Sequence, residues 1–201
     1  MADRNWKNAN LTDEQHITIL SFGATCPEYW LDVAIRQANR IHSLQVELAG
    51  YVHDARANQV PIPEAYGSDA RISIPHLMAC DGHLMVYAAD HAVTICERYQ
   101  ALTRNDPEVS RAIAGFRKAN VDCRNLRDMF AHIESYALGT GFREPGRQIS
   151  GPVIEFADAD ALLGDVLLKF GDEAIALYAL TRELAVLVAN VRNAMSRKGF
   201  L

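Results

Sequence analysis

An all-α fold, a four-helix bundle with long helices and a small β-hairpin before the last one, is predicted by three features of the sequence. Apolar residues recur at three- and four-residue spacing along four long stretches. Pro, Asp, Ser and Gly stand near the ends of these stretches, where caps and helix stops require them. Only between residues 140 and 172 does the pattern change to short runs broken by Gly and Pro. The chain has 201 residues, 49% of them hydrophobic, enough for one good core, so a single domain over 1–201 is expected.

Each element has its own justification. Thr12-Asp13-Glu14-Gln15 has the form of a capping box and can open a short helix carrying Ile17, Ile19, Leu20 and Phe22, although the alternation there also fits a strand. From Pro27 or Glu28 to about Asn58, the residues Val33, Ile41, Leu44, Leu48 and Val52 mark the first long helix. Pro61, Pro63, Gly67 and Ser68 then forbid a continuous helix. Ser73 can cap the second helix, with Pro75 in its first turn and Leu77, Leu84, Tyr87, Ala88, Ile95 and Tyr99 forming a stripe that lasts to about Thr103. Asp106 before Pro107 caps a third helix, read as continuous through Val109, Ile113, Phe116, Val121, Leu126, Phe130, Ile133 and Ala137 until Gly139 ends it. Val153-Ile154-Glu155-Phe156 and Val166-Leu167-Leu168-Lys169-Phe170 read as the two strands of the hairpin. Gly171-Asp172 is expected to open the fourth helix, apolar through Ala176, Leu177, Leu180, Leu184, Leu187, Val188 and Val191, with Arg192, Arg197 and Lys198 at the negative end of its dipole. So broad an apolar surface suits a central position or a subunit interface.

Charge and cysteine usage narrow the functional classes. A formal net charge of -5 argues against a protein that coats nucleic acid through bulk electrostatics, so contact with phosphates has to be local. The polar start and the lack of any apolar run near 20 residues predict neither signal peptide nor membrane span, hence a cytoplasmic protein with no membrane partner. Cys26, Cys80, Cys96 and Cys123 are widely separated and form no C-x-x-C pair, which reads as reduced, mostly buried thiols. No Gly-rich phosphate loop, Walker lysine or nucleophile elbow is present, and no cofactor is expected. Gly139-Thr140-Gly141 follows a helix instead of opening one and reads as a cap and turn. The aromatic residues are dispersed along the sequence, and no stacking platform for bases is evident.

One stretch carries a chemical pattern, Arg127-Asp128-Met129-Phe130-Ala131-His132 continuing through Ile133-Glu134-Ser135-Tyr136. It gathers a permanent cation, a carboxylate and an imidazole that titrates near neutrality, groups suited to moving protons beside a phosphate. At about 100° per residue, Asp128, His132 and Tyr136 share one ridge, so the carboxylate can fix the imidazole tautomer. Arg127 would lie roughly 140° around a straight helix from His132, so a second protomer or a kink must close any joint site. Residues 104 to 127 supply Arg104, Arg111, Arg117, Lys118, Arg124 and Arg127 against Asp106, Glu108 and Asp122, a local basic excess in an acidic chain. The bland alternative is that Arg127, Asp128 and Glu134 form surface ion pairs while His132 is a partly buried helix residue.

The run resembles the signature of the HEPN superfamily of helical-bundle nucleases, an Arg, a polar residue, and a His after four to six positions, with a Tyr after the His in one toxin branch. Arg127, Asp128 and His132 fill those positions, and Tyr136 stands farther from the histidine than in that branch. The same spacing occurs at Arg71 to His76, across Ser73 and Pro75, and a spacing one residue longer at Arg36 to His42, where Gln37 replaces the acid. The resemblance implies a homodimer whose paired Arg and His line a cleft and cleave single-stranded RNA without a metal, in the role of a bacterial toxin or defence component with a protein antitoxin. It makes Arg127, His132 and Asp128 the candidate catalytic residues, and Arg124 and Tyr136 the candidate substrate contacts. A non-catalytic dimerisation or protein-interaction module is the alternative. A third possibility is a metal-binding bundle, because His76, Cys80 and His83 recur at i, i+4 and i+7 with Asp81, Asp90 and His91 following, and His42 or His53 could supply a fourth ligand. His91, sharing a face with Leu84, Ala88 and Ile95, reads as a core histidine.

Overall fold

The computed structural model describes residues 12, 26–59, 73–102, 106–133, 135, 138, 140–141, 151–156 and 164–199. The expected element over 13–22, the loop around Pro61 to Ser68, and Glu134, Tyr136, Ala137 and Gly139 lie outside the described residues. The chain is mostly helical with a small antiparallel sheet before the last helix. Its elements are α1 (Pro27–Asn58), α2 (Ile74–Leu102), α3 (Pro107–Ala119), α4 (Val121–Ala131), β1 (Val153–Phe156), β2 (Val166–Phe170), β3 (Glu173–Ala176) and α5 (Leu177–Arg197).

Local chemistry accounts for the first two helices and for the start of the third. Pro27 opens α1 with a ring that already has helical φ, and Glu28 in the first turn suits the positive dipole end. The helix stops at Gln59, whose left-handed φ of 54° lets its N–H reach back to the carbonyls of Ala55 and Arg56. α2 begins where the Leu77 N–H bonds the Ser73 carbonyl at 3.1 Å. For α3, Asp106 Oδ1 accepts from the N–H groups of Glu108 at 2.9 Å and Val109 at 3.4 Å.

The long third helix expected from periodicity is two helices. Asn120 leaves helical geometry at φ −121°, ψ 48°. Its backbone N–H and its Nδ2 both bond the Phe116 carbonyl, at 2.9 and 3.2 Å, and Nδ2 also reaches Glu183 on α5. A side chain that can satisfy the last carbonyl of one helix competes with continuation of that helix. The break also changes which face turns inward: Val121, expected in the core, is 62% exposed, whereas Cys123, Leu126, Met129 and Phe130 are buried. α4 stops at Ala131, with His132 as its C-cap, well before Gly139.

The expected hairpin is present as β1 and β2, antiparallel with Val153 opposite Lys169 and Phe156 opposite Val166. A third strand, which the sequence reading assigned to the start of the last helix, pairs β2 on its other side with Phe170 opposite Glu173 and Leu167 opposite Ala176. Gly171 has φ 64°, so the Gly171-Asp172 pair makes a turn between strands instead of a helix start. α5 opens five residues later, at Leu177, and Asp165 Oδ1 accepts from the N–H of Tyr178 at 3.0 Å to satisfy its first turn.

α2 is the central element, touching α1, α3, α4, α5 and the sheet. Its Met78, Met85, Val86, Ala89, Ala92 and Val93 are fully or nearly fully buried in one cluster with Ala38 and Ile41 of α1 and Leu180, Leu184 and Leu187 of α5. Each such large side chain contributes about 1.5–3 kcal/mol through the apolar area it removes from water. Gly82 marks the closest approach: a Cβ there would sit 3.0 Å from Leu177 Cδ1 and 3.3 Å from Leu168 Cδ2. Because α2 has partners on many sides, it does not follow the single stripe expected of it; Leu84, placed in that stripe, is 50% exposed.

Candidate functional site

Two arginines and a buried carboxylate define the most charged part of the interior. Asp90, near the middle of α2, is almost completely buried. Its Oδ1 lies 3.1 Å from Arg117 Nη1 on α3, and its Oδ2 lies 3.4 Å from Arg127 Nε on α4. Arg117 also reaches Glu97 of α2 at 3.1 Å through Nη2, and Arg127 Nη2 pairs with Asp128 at 3.1 Å. Burial opposes the charge on Arg117, yet Glu97 and Asp90 prevail and hold its pKa above the ordinary arginine value. One carboxylate thus ties together the two helices that the break at Asn120 separates.

The candidate catalytic residues occupy distinct places around this network. Arg127 is half-buried, its Nε 3.4 Å from Asp90 but without a hydrogen-bond partner among the described residues, and its Nη2 3.1 Å from Asp128. Asp128 meets Arg127; no hydrogen bond joins it to His132 among the described residues. The reason is where the helix ends: His132, at φ −128° and ψ 31°, has left the helix, so the i, i+4 ridge from Asp128 does not continue through it. His132 is exposed, its N–H bonding the Met129 carbonyl at 3.1 Å and its carbonyl accepting from the Ser135 N–H at 2.9 Å. Arg124 is exposed on α4 and has no ion-pair partner among the described residues. Tyr136 lies outside the described residues.

The basic excess over residues 104 to 127 is smaller in space than in sequence. Arg117 and Arg127 are matched by acids of α2, and Arg111 Nε turns back to the Pro107 carbonyl at 3.2 Å. Sequence reasoning named Asp90 only as a neighbour of the histidines. The available signal was an acid in the apolar run Ala88-Ala89-Asp90-His91-Ala92-Val93, where burial without a cationic partner would be prohibitively costly.

His76, Cys80 and His83 do not assemble into a metal centre: among the described residues, no group of three or more His, Cys, Asp or Glu side chains is disposed to hold an ion. His76 Nδ1 lies 2.6 Å from Ser73 Oγ, and Cys80 is exposed. His83 turns the other way, its ring 4.1 Å from that of Phe130 and 5.1 Å from that of Tyr87. His91, read as a core residue, is exposed and bonds the Tyr87 carbonyl at 2.9 Å through Nδ1. All four cysteines are free; Cys96 and Cys123 are buried, and burial pushes the Cys123 thiol up to about 12, which keeps it protonated and unreactive.

His83 provides a pH-dependent test of the packing around α4. Its Nε2 is buried without a hydrogen-bond partner among the described residues, and burial pushes its pKa below the ordinary histidine value. The unfolded chain therefore takes up a proton that the folded chain resists. Stability is full above the unfolded value near 6.5 and is lost as the pH falls from there toward the folded value. His83→Phe keeps a ring against Phe130 and removes the proton uptake, so its thermal midpoint is expected to fall less than that of the unaltered chain between about pH 7 and 5. Equal acid slopes in calorimetry would exclude this account of His83.

No helix among the described residues is long and apolar enough to cross a membrane. Comparison with protein-family models, curated proteins and solved structures finds no match.

Proposed function

We propose that this chain is a metal-independent endoribonuclease of HEPN type that cleaves single-stranded RNA as a homodimer and serves as a bacterial toxin or defence component. The supporting observation is the placement of Arg127: Asp90 and Asp128 lie against a guanidinium that is about a third exposed, while an exposed imidazole stands at the end of the same helix. In this reading α3 and α4 are one interrupted helix of a four-helix bundle. His132 takes the proton of the ribose 2′-hydroxyl as its oxygen attacks phosphorus, and the histidine of the second copy delivers a proton to the departing 5′-oxygen. Arg127 stabilises the charge that accumulates on the phosphoryl oxygens. Asp128 has a different role from the one the motif suggested: with Asp90, it positions Arg127.

The test uses a labelled single-stranded RNA and the same sequence with 2′-deoxyriboses, both incubated with the protein in EDTA. Cleavage of the first alone, leaving a cyclic phosphate and a 5′-hydroxyl, is the expected result. Equal cutting of both strands, or of neither, would remove the proposal.

A second reading is favoured by the same ion pairs. If Asp90 and Asp128 serve only to neutralise Arg127, the network is a structural hub in a protein-interaction module. The open groove of about 350 Å³ between α3 and α5, lined by Ala112, Gly115, Phe116, Val186 and Leu187, is the surface such a module would offer. It predicts no RNA cleavage and no effect of His132→Ala on partner binding.

A further inference from the structure

The face where α3 meets α5 is apolar and bordered by cations, in a chain whose formal net charge is -5. The two helices run antiparallel: Asp106 and Glu108 at the start of α3 pair with Lys198 and Arg197 at the end of α5, and at the other end Asn120 bonds Glu183. Between these ties lies the open groove of about 350 Å³, floored by the buried Phe116 and Leu187, with Val186 standing in it 62% exposed. On the α3 side Ala112, Gly115 and Ala119 recur at i, i+3 and i+7, so no large side chain fills the space from that wall. A glycine inside a helix costs about 1 kcal/mol relative to alanine, yet a Cβ on the exposed Gly115 would meet nothing within 4 Å. The bare backbone there leaves room for a second backbone to come close.

The border of the groove is positive. Arg111 and Lys118, four residues before and three after Gly115, are exposed on α3 and have no ion-pair partner among the described residues. Arg182, at the other end on α5, is exposed and lies 3.6 Å from Asp165, a loose surface pair that a partner's carboxylate can replace at little cost. Glu183, the acid in the lining, is turned to the Asn120 amide.

These properties select among occupants. Aliphatic walls around one buried ring offer bases no face to stack on, which disfavours a nucleic acid despite the cations. Small-molecule sites are enclosed and carry convergent polar groups, whereas this groove is open and apolar. A two-fold contact with a second copy sets the same patch on both sides, bringing these cations against their own mates. A helix with aliphatic anchors at i, i+3 or i+4, and i+7 and carboxylates on its flanks meets both the apolar floor and the positive border.

We infer that the groove between α3 and α5 is the docking site of an acidic amphipathic helix from a partner protein. Its anchors cover Phe116, Val186 and Leu187, its backbone passes close to Gly115, and its carboxylates meet Arg111 and Lys118 along one edge and Arg182 at the far end. The inference supplies the partner that the interaction-module reading needs. It also stands beside the nuclease reading, because Arg127 and His132 belong to α4 and its cap and line no part of the groove.

The test is a selection on the whole immobilised chain from a display library of helical peptides about 18 residues long, with randomised anchors and flanks, followed by fluorescence anisotropy of the enriched peptides. Enriched peptides are expected to be acidic, and resynthesis with Lys for every Asp and Glu is expected to raise Kd at least about tenfold. Gly115→Leu is expected to fill the groove and raise Kd at least about tenfold without lowering the thermal midpoint, since its side chain enters open space and leucine favours a helix. Arg111→Glu combined with Lys118→Glu is expected to raise Kd about fivefold or more. No enriched peptide, enriched peptides that are basic or neutral, or binding that survives both Gly115→Leu and the charge reversal would each overturn the inference. Displacement of the peptide by oligouridine would give the groove to nucleic acid, and a dimer in light scattering that Gly115→Leu dissociates would give it to a second copy; either result also overturns it. Cleavage of RNA is read separately on the same variants: groove-dependent peptide binding without cleavage sinks only the nuclease, and cleavage without peptide binding sinks only the docking site.

Discussion

Cleavage of single-stranded RNA is expected to fall at least about a hundredfold in His132→Ala, because a positioned acid–base group typically supplies 10²–10⁴ in rate. Arg127→Ala is expected to cost a similar factor, the usual effect of removing one preorganised donor to a developing oxyanion. Neither change should alter the helical circular dichroism. His132 is exposed at a helix end, and after loss of Arg127 the buried Asp90 still has Arg117 at 3.1 Å. Arg127→Lys restores the charge without the planar fork that can face two carboxylates and a phosphate together, so its activity should stay below about a tenth of the unaltered level. The measurement is the initial rate of product release from an end-labelled RNA in EDTA. Variants that cut within a few-fold of the unaltered rate would dismiss this pair as the catalytic one.

Asp90→Ala is expected to produce the largest loss of stability of any single surface or network change in α2, about 3 kcal/mol, because it strips two half-buried guanidinium groups of a shared partner. For a chain of this size that corresponds to a drop in thermal midpoint of roughly 10 °C. Arg117→Ala and Arg127→Ala should each cost less, since either leaves Asp90 with one arginine and both arginines are about a third exposed. The asymmetry is the diagnostic outcome. A double-mutant cycle between Asp90 and Arg127 should show a coupling of about 1 kcal/mol. If Asp90→Ala unfolds within about 0.5 kcal/mol of the unaltered chain, Asp90 is not the tie between α2, α3 and α4 described above.

The elements that were legible in the sequence are those governed by local rules. Pro27 and Pro107 fix helix starts through φ and Asp106 through a side-chain acceptor for free N–H groups, and the helices begin beside them; α2 begins beside Ser73, whose Oγ faces His76 instead of capping. The β1–β2 hairpin was legible because Val153 to Phe156 and Val166 to Phe170 are short apolar runs in a segment where Gly and Pro break any helix. The misplaced elements turn on competition between local and distant partners. Asn120 continues a helical period in sequence, yet its amide finds Phe116 and Glu183 and ends α3. Gly171-Asp172 resembles a helix start, but β2 offers Glu173 to Ala176 a ladder of hydrogen bonds, and the strand wins.

The candidate site divides the same way. The presence of an arginine, an acid and a histidine within six residues is written in the chain, as is the acidic excess that confines any phosphate contact to a small area. Their alignment is not. Whether Asp128 faces His132 or Arg127 depends on where α4 ends, and the identity of Arg127's other partner depends on a residue 37 positions earlier on a different helix.

The sequence by itself determined helix dominance, the starts of three helices and the chemical types available at the Arg127 to His132 stretch, because backbone capping and periodicity act over a few residues. The tertiary structure alone decided the break at Asn120, the third strand and the Asp90 tie. The Asp90 tie depends on the packing of α2 against its neighbours, the break at Asn120 on Glu183 arriving from α5, and the third strand on the ladder that β2 offers, and no local pattern encodes which of these partners wins.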